Sequence, residues 1–195
     1  FSITNYDNYV GTVDLNEKES QLDILAHLDV VPAGEGWKET EPFEPVVKGD
    51  KLFGRGTADD KGPAVAALYA MRAVKELGIP LKKNARLILG TDEECGSSDI
   101  AHYYAIEKEA PMTFSPDGSY PVVNTEKGGL NGHFTASFAP SDALPKLVSV
   151  EAGIKVNVVP GKARATVQGI DVEVMEKAAE EVSGETGIRF EFDVE

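Results

Sequence analysis

The fold is set by the stretch Leu22-Asp-Ile-Leu-Ala-His-Leu-Asp-Val-Val31, which is short, rich in aliphatic side chains and polar at only three positions. Such a run predicts a buried strand. A second run of this kind, Ala85-Arg-Leu-Ile-Leu-Gly90, follows a predicted helix over residues 63–77, which Pro63 suits as a start and Gly78 as an end. Strand, helix and strand in this order predict a sheet with helices on its faces.

Further elements are predicted on both sides of this core. Residues 43–53, with Gly49-Asp50 in the middle, are typical of a β-hairpin. A helix is expected from Ser97 or Ser98 to about residue 110, where Pro111 ends it. The pattern changes at Lys127-Gly128-Gly129, where we place a domain boundary. Beyond it the sequence predicts strands over 132–138, 155–159, 163–167 and 188–194, and an amphipathic helix over 171–186.

The composition argues against several classes of protein. The 195 residues carry a net charge of −14, which disfavours nucleic acid or an anionic membrane as a partner. The sequence has no apolar run of membrane-spanning length and no signal-peptide pattern at its start. Cys95 is the single cysteine, so an internal disulfide framework is excluded and a reducing compartment, the cytoplasm, is expected.

Two polar clusters accompany the first strand and the first helix. His27 and Asp29 are two positions apart and would share one side of a strand, where the carboxylate can orient the imidazole. A structural His–Asp pair in the core is the alternative. Asp59 and Asp60 lie in Gly54-Arg-Gly-Thr-Ala-Asp59-Asp60-Lys61-Gly62-Pro63, at the turn into the predicted helix. Capping of that helix would explain one aspartate better than two.

Two acidic clusters follow later strands. In Thr91-Asp92-Glu93-Glu94-Cys95-Gly96, three consecutive acids repel one another unless a cation or a shared proton compensates, and a solvated loop is the alternative. Ser115-Pro116-Asp117-Gly118 is by itself a turn signal. Taken together, histidine and carboxylates favour a divalent cation such as Zn²⁺, with Mn²⁺ or Co²⁺ as alternatives. The excess of carboxylates suggests two metals that share one bridging carboxylate.

The order and spacing of these clusters resemble a known family of co-catalytic zinc metallopeptidases. It is the family of glutamate carboxypeptidase, aminoacylase, succinyl-diaminopimelate desuccinylase and the carnosinase-like dipeptidases. Residues 57–63 and 114–122 are most similar to its bacterial PepV-type (carnosinase-like, Xaa-His) dipeptidases. The resemblance covers nearly the whole chain and is carried by His27-Leu-Asp29-Val30-Val31-Pro32, Gly54-Arg-Gly-Thr-Ala-Asp59-Asp60-Lys61-Gly62, Asp92-Glu93-Glu94-Cys95-Gly96-Ser97 and Pro116-Asp117.

The resemblance implies a set of metal ligands. His27 and Asp117 would bind one zinc, and Glu94 would bind the second. Asp59 would bridge the two ions, with a cis peptide bond to Asp60.

The resemblance also implies the catalytic residues. Glu93 would be the general base, taking a proton from the attacking water and passing it to the leaving amine. Asp29 would stand behind His27 as its orienting carboxylate. Asn157, in Gly153-Ile-Lys-Val-Asn157-Val-Val-Pro160, would contact substrate, although an asparagine there could equally satisfy a turn.

The fold that the resemblance implies is α/β, with a mixed sheet and helices on both faces. Residues 1–126 would be an incomplete zinc-peptidase catalytic core, and 127–195 the incomplete first part of an α+β lid domain. The family takes its last zinc ligand from a histidine far towards the C-terminus, and neither His102 nor His133 stands in a ligand motif. We therefore expect a fragment with one incomplete metal site, inactive by itself and prone to self-association through unpaired strand edges.

The function that the resemblance implies is that of a cytoplasmic metallo-dipeptidase. It would hydrolyse the peptide bond of a dipeptide and release the N-terminal residue. An N-acyl amino acid deacylase or desuccinylase with the same metal chemistry is the alternative. A non-catalytic binding module of the same fold is a second alternative, against which the intact Glu93 speaks.

Overall fold

The structure is a computed structural model that describes residues 1–156 and 158–194. The chain forms two compact units, Phe1–Glu126 and Lys127–Glu195. None of the helices in the described residues is both long and apolar enough to cross a membrane. The first unit contains strands β1 (Ser2–Tyr6), β2 (Val10–Asp14), β3 (Ser20–His27), β4 (Val46–Lys48), β5 (Lys51–Phe53), β6 (Asn84–Gly90) and β7 (Met112–Phe114), and helices α1 (Lys61–Glu76) and α2 (Ser98–Ile106).

A five-stranded mixed sheet forms the centre of the first unit, in the order β1-β2-β6-β3-β7. Strand β3 runs parallel to β6 and to β7, whereas β2 runs antiparallel to β6 and to β1. The register pairs Ile24 with Leu87 and His27 with Gly90. Because β6, β3 and β7 are parallel neighbours, their carboxyl ends lie at one edge of the sheet, where the segments that follow them can meet.

Each face of this sheet is covered by a different helix. Leu87 and Ile88 are neighbours in β6, so their side chains point to opposite faces. The face of Leu87 packs against α1 and the face of Ile88 against α2, which confirms the predicted mixed sheet with helices on both faces. The buried clusters are Leu15, Ile24, Ala26, Ala64, Met71 and Leu87 on one side, and Val10, Ile88 and Tyr103 on the other.

The ends of several elements differ from the sequence prediction. Strand β3 begins at Ser20 and ends at His27, because after the N–H of Leu28 donates to the carbonyl of Gly90 the chain leaves the sheet. Helix α1 begins two residues before Pro63, which costs no hydrogen bond because the first amides of a helix have no partner within it. Helix α2 ends at Ile106, since Glu107 is extended.

The second unit contains β8 (Lys146–Ala152), β9 (Ala163–Gln168) and α3 (Val172–Thr186). Strands β8 and β9 pair antiparallel, and Gly187 ends α3 in the left-handed conformation that glycine adopts without strain. Strand β9 and α3 match the prediction, whereas β8 was not predicted. The predictions of strands over 132–138 and 188–194 are wrong, because the structure has no strand at these residues. The same holds for the described residues of 155–159. An alternating pattern becomes a strand only where a partner backbone is available.

Candidate metal centre

The candidate site lies where three parallel strands end. His27 is the last residue of β3, Glu93 and Glu94 lie in the short 3₁₀ turn Glu93–Cys95 after β6, and Asp117 follows β7. Asp59 comes from the loop that leads into α1. Residues separated by up to 90 positions in the sequence are thus carried to one edge of the sheet.

Three of these side chains converge on one point. Nε2 of His27 lies 2.9 Å from Oδ1 of Asp59 and 3.4 Å from Oδ2 of Asp117. One ligand atom from each residue lies within 4.8 Å of the others, so the three could hold one ion. The side chain of His27 is 4% exposed but that of Asp59 is 61% exposed, so the cluster opens to solvent on its carboxylate side. An imidazole nitrogen and two carboxylate oxygens form a donor set that fits a divalent cation such as Zn²⁺.

Asp29 joins His27 to the segment Thr91–Gly96 after β6, which we call the acidic turn. Its Oδ1 lies 3.3 Å from Nδ1 of His27, a nitrogen that also lies 3.0 Å from the backbone oxygen of Asp29. The same carboxylate accepts the backbone N–H of Glu93 at 3.2 Å and that of Glu94 at 3.1 Å. Asp29 therefore leaves Nε2 facing the other carboxylates and also holds the backbone of the turn. No sequence signal indicated this second set of contacts.

Glu93 and Glu94 lie beside the cluster of three. Glu94 is not a member of the group His27, Asp59 and Asp117 that could share one ion. Partial burial raises the pKa of Glu93, the charge of His27 opposes this, and the neighbouring carboxylates, with Glu94 first, reinforce it. A carboxyl group with a raised pKa is better suited to accept a proton and later to release it.

Asp60 plays a different part from its neighbour Asp59, to which it is joined by a cis peptide bond. It is completely buried, and its Oδ2 accepts the backbone N–H of His27 at 3.2 Å. Its Oδ1 has no hydrogen-bond partner among the described residues. Although it stands at the N-cap position of α1, its side chain makes no capping hydrogen bond, so the capping explanation of this aspartate is wrong. Its carboxylate fixes the end of β3 instead.

The loop that carries Asp59 approaches the helix so closely that one position must be glycine. A Cβ at Gly62 would lie 2.2 Å from the carbonyl oxygen of Thr57. This distance is too short for a van der Waals contact, so any side chain at this position would force the loop to move. Nζ of Lys61 donates a hydrogen bond of 2.6 Å to the carbonyl of Leu28 and ties the start of α1 to the end of β3. Backbone packing therefore sets the position from which Asp59 reaches His27.

Metal affinity of the metal-depleted protein should fall as the pH falls. Burial lowers the pKa of His27, but the hydrogen bond with Asp59 and the charges of Asp117, Glu93 and Asp29 outweigh it, and the pKa lies above the ordinary 6.5. A protonated imidazole cannot bind metal, so below this pKa the affinity should drop by about tenfold per pH unit. Competition with a chromogenic chelator for Zn²⁺ between pH 7.5 and 5.5 measures the effect.

His102 provides the control for this experiment. Its Nε2 lies 3.1 Å from Oδ2 of Asp7, outside the cluster of three, and His133 lies in the other unit. The substitution His102→Ala should leave the pH dependence of metal binding unchanged. An affinity that stays constant across the pH range would show that His27 is not a ligand.

Comparison with known proteins gives consistent matches along the chain. The sequence pattern of peptidase family M20/M25/M40 matches residues 24–193. Over 171 residues the chain is 38% identical to YtjP of Bacillus subtilis (strain 168), which is named as a dipeptidase, and the match covers 87% of this chain and 37% of YtjP. It is 40% identical over 183 residues to the Beta-Ala-Xaa dipeptidase of Lactobacillus delbrueckii subsp. lactis, covering 92% of this chain and 38% of that protein.

These relatives are much longer than the chain, which spans 37% and 38% of their lengths. Among solved structures, human carnosine dipeptidase 1 is 30% identical with a TM-score of 0.49, and the match covers 57% of this chain and 26% of that one.

Proposed function

Because this chain belongs to peptidase family M20/M25/M40, we propose that the whole protein is a metallo-dipeptidase that hydrolyses a dipeptide and releases its N-terminal residue. The observation that carries the proposal is the convergence of His27, Asp59 and Asp117 within 4.8 Å of one another. The name of the relative from Lactobacillus delbrueckii, a Beta-Ala-Xaa dipeptidase, supports dipeptides as the substrate class.

Two zinc ions are the proposed cofactor, with Mn²⁺ or Co²⁺ as alternatives. His27 and Asp117 would hold one ion, Glu94 would contribute to holding the second, and Asp59 would bridge the two. The contact of Asp59 with Nε2 of His27, at 2.9 Å, and its high exposure on the open side of the cluster support the bridging role. When bound, the ions would supply Lewis acidity at the scissile carbonyl and make water a better acid.

Glu93 is the proposed general base. Its carboxylate would take a proton from the attacking water as the water oxygen bonds to the scissile carbon. The same proton would then pass to the amine nitrogen as the C–N bond breaks. The raised pKa of Glu93 and the hydrogen bond from its backbone N–H to Asp29 support this role, because the base must be both basic enough and held in place.

The division of labour between the two units is also a proposal. The unit Phe1–Glu126 would be catalytic, since it contains the whole cluster of three. The unit from Lys127 would be part of a lid in which Asn157 contacts substrate. Asn157 lies outside the described residues, so this contact rests on the resemblance of its sequence context alone. The single cysteine, Cys95, is free and supports a cytoplasmic location.

A substrate panel tests the proposed function. The whole purified protein would be assayed by liquid chromatography on β-alanyl dipeptides, α-dipeptides, the same dipeptides with an acetylated N-terminus, and N-acetyl and N-succinyl amino acids. We expect hydrolysis of free dipeptides, loss of activity with a chelator and its return with Zn²⁺, Mn²⁺ or Co²⁺. Turnover of the acyl amino acids alone would identify a deacylase or desuccinylase. No turnover of any substrate by the metal-loaded protein would overturn the enzyme assignment.

A further inference from the structure

A buried aspartate on α2 holds the start of the acidic turn. Asp99 is completely buried in the first turn of α2. Its Oδ2 accepts the backbone N–H of Thr91 at 2.5 Å and that of Asp92 at 3.1 Å, and its Oδ1 accepts the N–H of Ile100 at 2.7 Å. Burial of a carboxylate is costly unless hydrogen bonds replace its water, and here three backbone donors do so. Two of these donors belong to the first residues after β6.

These contacts continue directly into those made by Asp29. The N–H groups of Glu93 and Glu94 donate to Asp29, at 3.2 and 3.1 Å. Four consecutive backbone N–H groups, of residues 91–94, are therefore held by two carboxylates. Asp29 holds the second half of the row from the side of His27, and Asp99 holds the first half from the side of α2.

The space for Asp99 exists because β6 ends in glycine. A Cβ at Gly90 would lie 2.5 Å from Oδ2 of Asp99, so a larger residue would displace the carboxylate. Asp92 adds a separate link to α2, because its own carboxylate accepts the backbone N–H of Ser98 at 3.1 Å. That link holds the side chain of Asp92, whereas Asp99 holds the backbone on which the next two residues depend.

We propose that Asp99 is a positioning residue of the active site. It acts through the backbone of Thr91 and Asp92 and thereby holds Glu93 and Glu94 in place. The inference rests on the proposed function, because it affects catalysis only if Glu93 is the base and Glu94 a metal ligand. A shift of about 1 Å in a catalytic group can lower the rate by about 100-fold, so loss of these hydrogen bonds should be visible in turnover.

The test compares two buried aspartates in the whole, metal-loaded enzyme. Asp99→Ala removes the carboxylate that accepts the backbone N–H groups of Thr91 and Asp92. Asp23→Ala is the matched control, because Asp23 is also completely buried and accepts the N–H of Ala110 at 3.0 Å, but belongs to β3 and does not contact the turn. Hydrogen–deuterium exchange of the peptide that contains residues 91–94 is measured along with kcat and KM.

For Asp99→Ala we expect amide exchange of residues 91–94 to become at least about tenfold faster. We also expect kcat to fall by about 10- to 100-fold, as for other residues that orient ligands, with KM within about threefold of the wild type. Asp23→Ala should leave the exchange of this peptide and the kcat of the folded enzyme unchanged. Asp99→Asn should restore part of both properties, since an amide oxygen can still accept from the turn.

Unchanged exchange of residues 91–94 in Asp99→Ala, or an equal loss of kcat in Asp23→Ala, would overturn the proposal. If Asp99→Ala does not fold, the same exchange and kcat measurements are compared between Asp99→Asn and the wild type. Identical exchange of residues 91–94 in these two proteins would then overturn the proposal. Amides of residues 91–94 that exchange in the wild type as fast as in an unstructured peptide would also refute it. If the wild-type enzyme hydrolyses no dipeptide, the proposed function fails, whereas the exchange measurement still shows whether Asp99 holds the turn.

Discussion

Replacement of Glu93 by alanine in the whole enzyme should lower kcat by about 10²–10⁴-fold, which is the contribution expected of a general base. Metal content should stay near the wild-type value, because Glu93 is the proposed base and is not one of the proposed metal ligands. The backbone of the turn should keep its place, because the carboxylate of Asp29 accepts the backbone N–H of Glu93, which the substitution leaves unchanged. Steady-state kinetics and metal analysis by mass spectrometry measure both properties.

Glu94→Ala is the matched control for this substitution, because it removes the same side chain one position further along the turn. We expect this variant to lose metal as well as activity, since Glu94 is a proposed ligand of the second ion. Equal metal loss in the two variants would contradict the separate roles of base and ligand. Full activity of Glu93→Ala would eliminate Glu93 as the base.

Replacement of Asp59 by alanine should remove metal from both positions and reduce turnover below detection. A bridging carboxylate serves each ion, and its loss leaves His27 and Asp117 as the only members of the cluster, too few ligands for tight zinc binding. Metal content per protein and dipeptide hydrolysis, measured after desalting, test this expectation.

Asp50→Ala is the control, because Asp50 is an exposed aspartate in the turn between β4 and β5, outside the cluster. It should change neither metal content nor turnover. An Asp59→Ala variant that keeps one tightly bound ion would show that Asp59 is a ligand of a single metal and not a bridge.

The two neighbouring aspartates before α1, Asp59 and Asp60, have separate tasks that the sequence does not distinguish. Their position at a helix start suggested capping, which is a local explanation. In the structure the carboxylate of Asp60 accepts the backbone N–H of His27, whereas the carboxylate of Asp59 contacts Nε2 of the His27 imidazole. The residues were recognisable from the sequence, but their separate tasks depend on where β3 ends, 33 positions earlier.

Local physical chemistry is what the sequence by itself determined. The apolar runs of β3 and β6, the helix between them and the glycine after α3 follow from side-chain burial and backbone preferences that act within a few residues. The clusters containing His27, Asp59, Glu93 and Asp117 were likewise visible, because each lies at a strand end or turn.

The tertiary structure alone decided which backbone groups these side chains hold. Asp99 looks in the sequence like any acidic residue near the start of a helix, yet it is buried against the turn after β6. Residues 132–138 and 188–194 alternate like strands, yet they pair with no strand among the residues that the structure describes. The physical reason is the same in each case: a hydrogen bond between distant segments depends on the packing that brings donor and acceptor together, and no local pattern of residues records that packing.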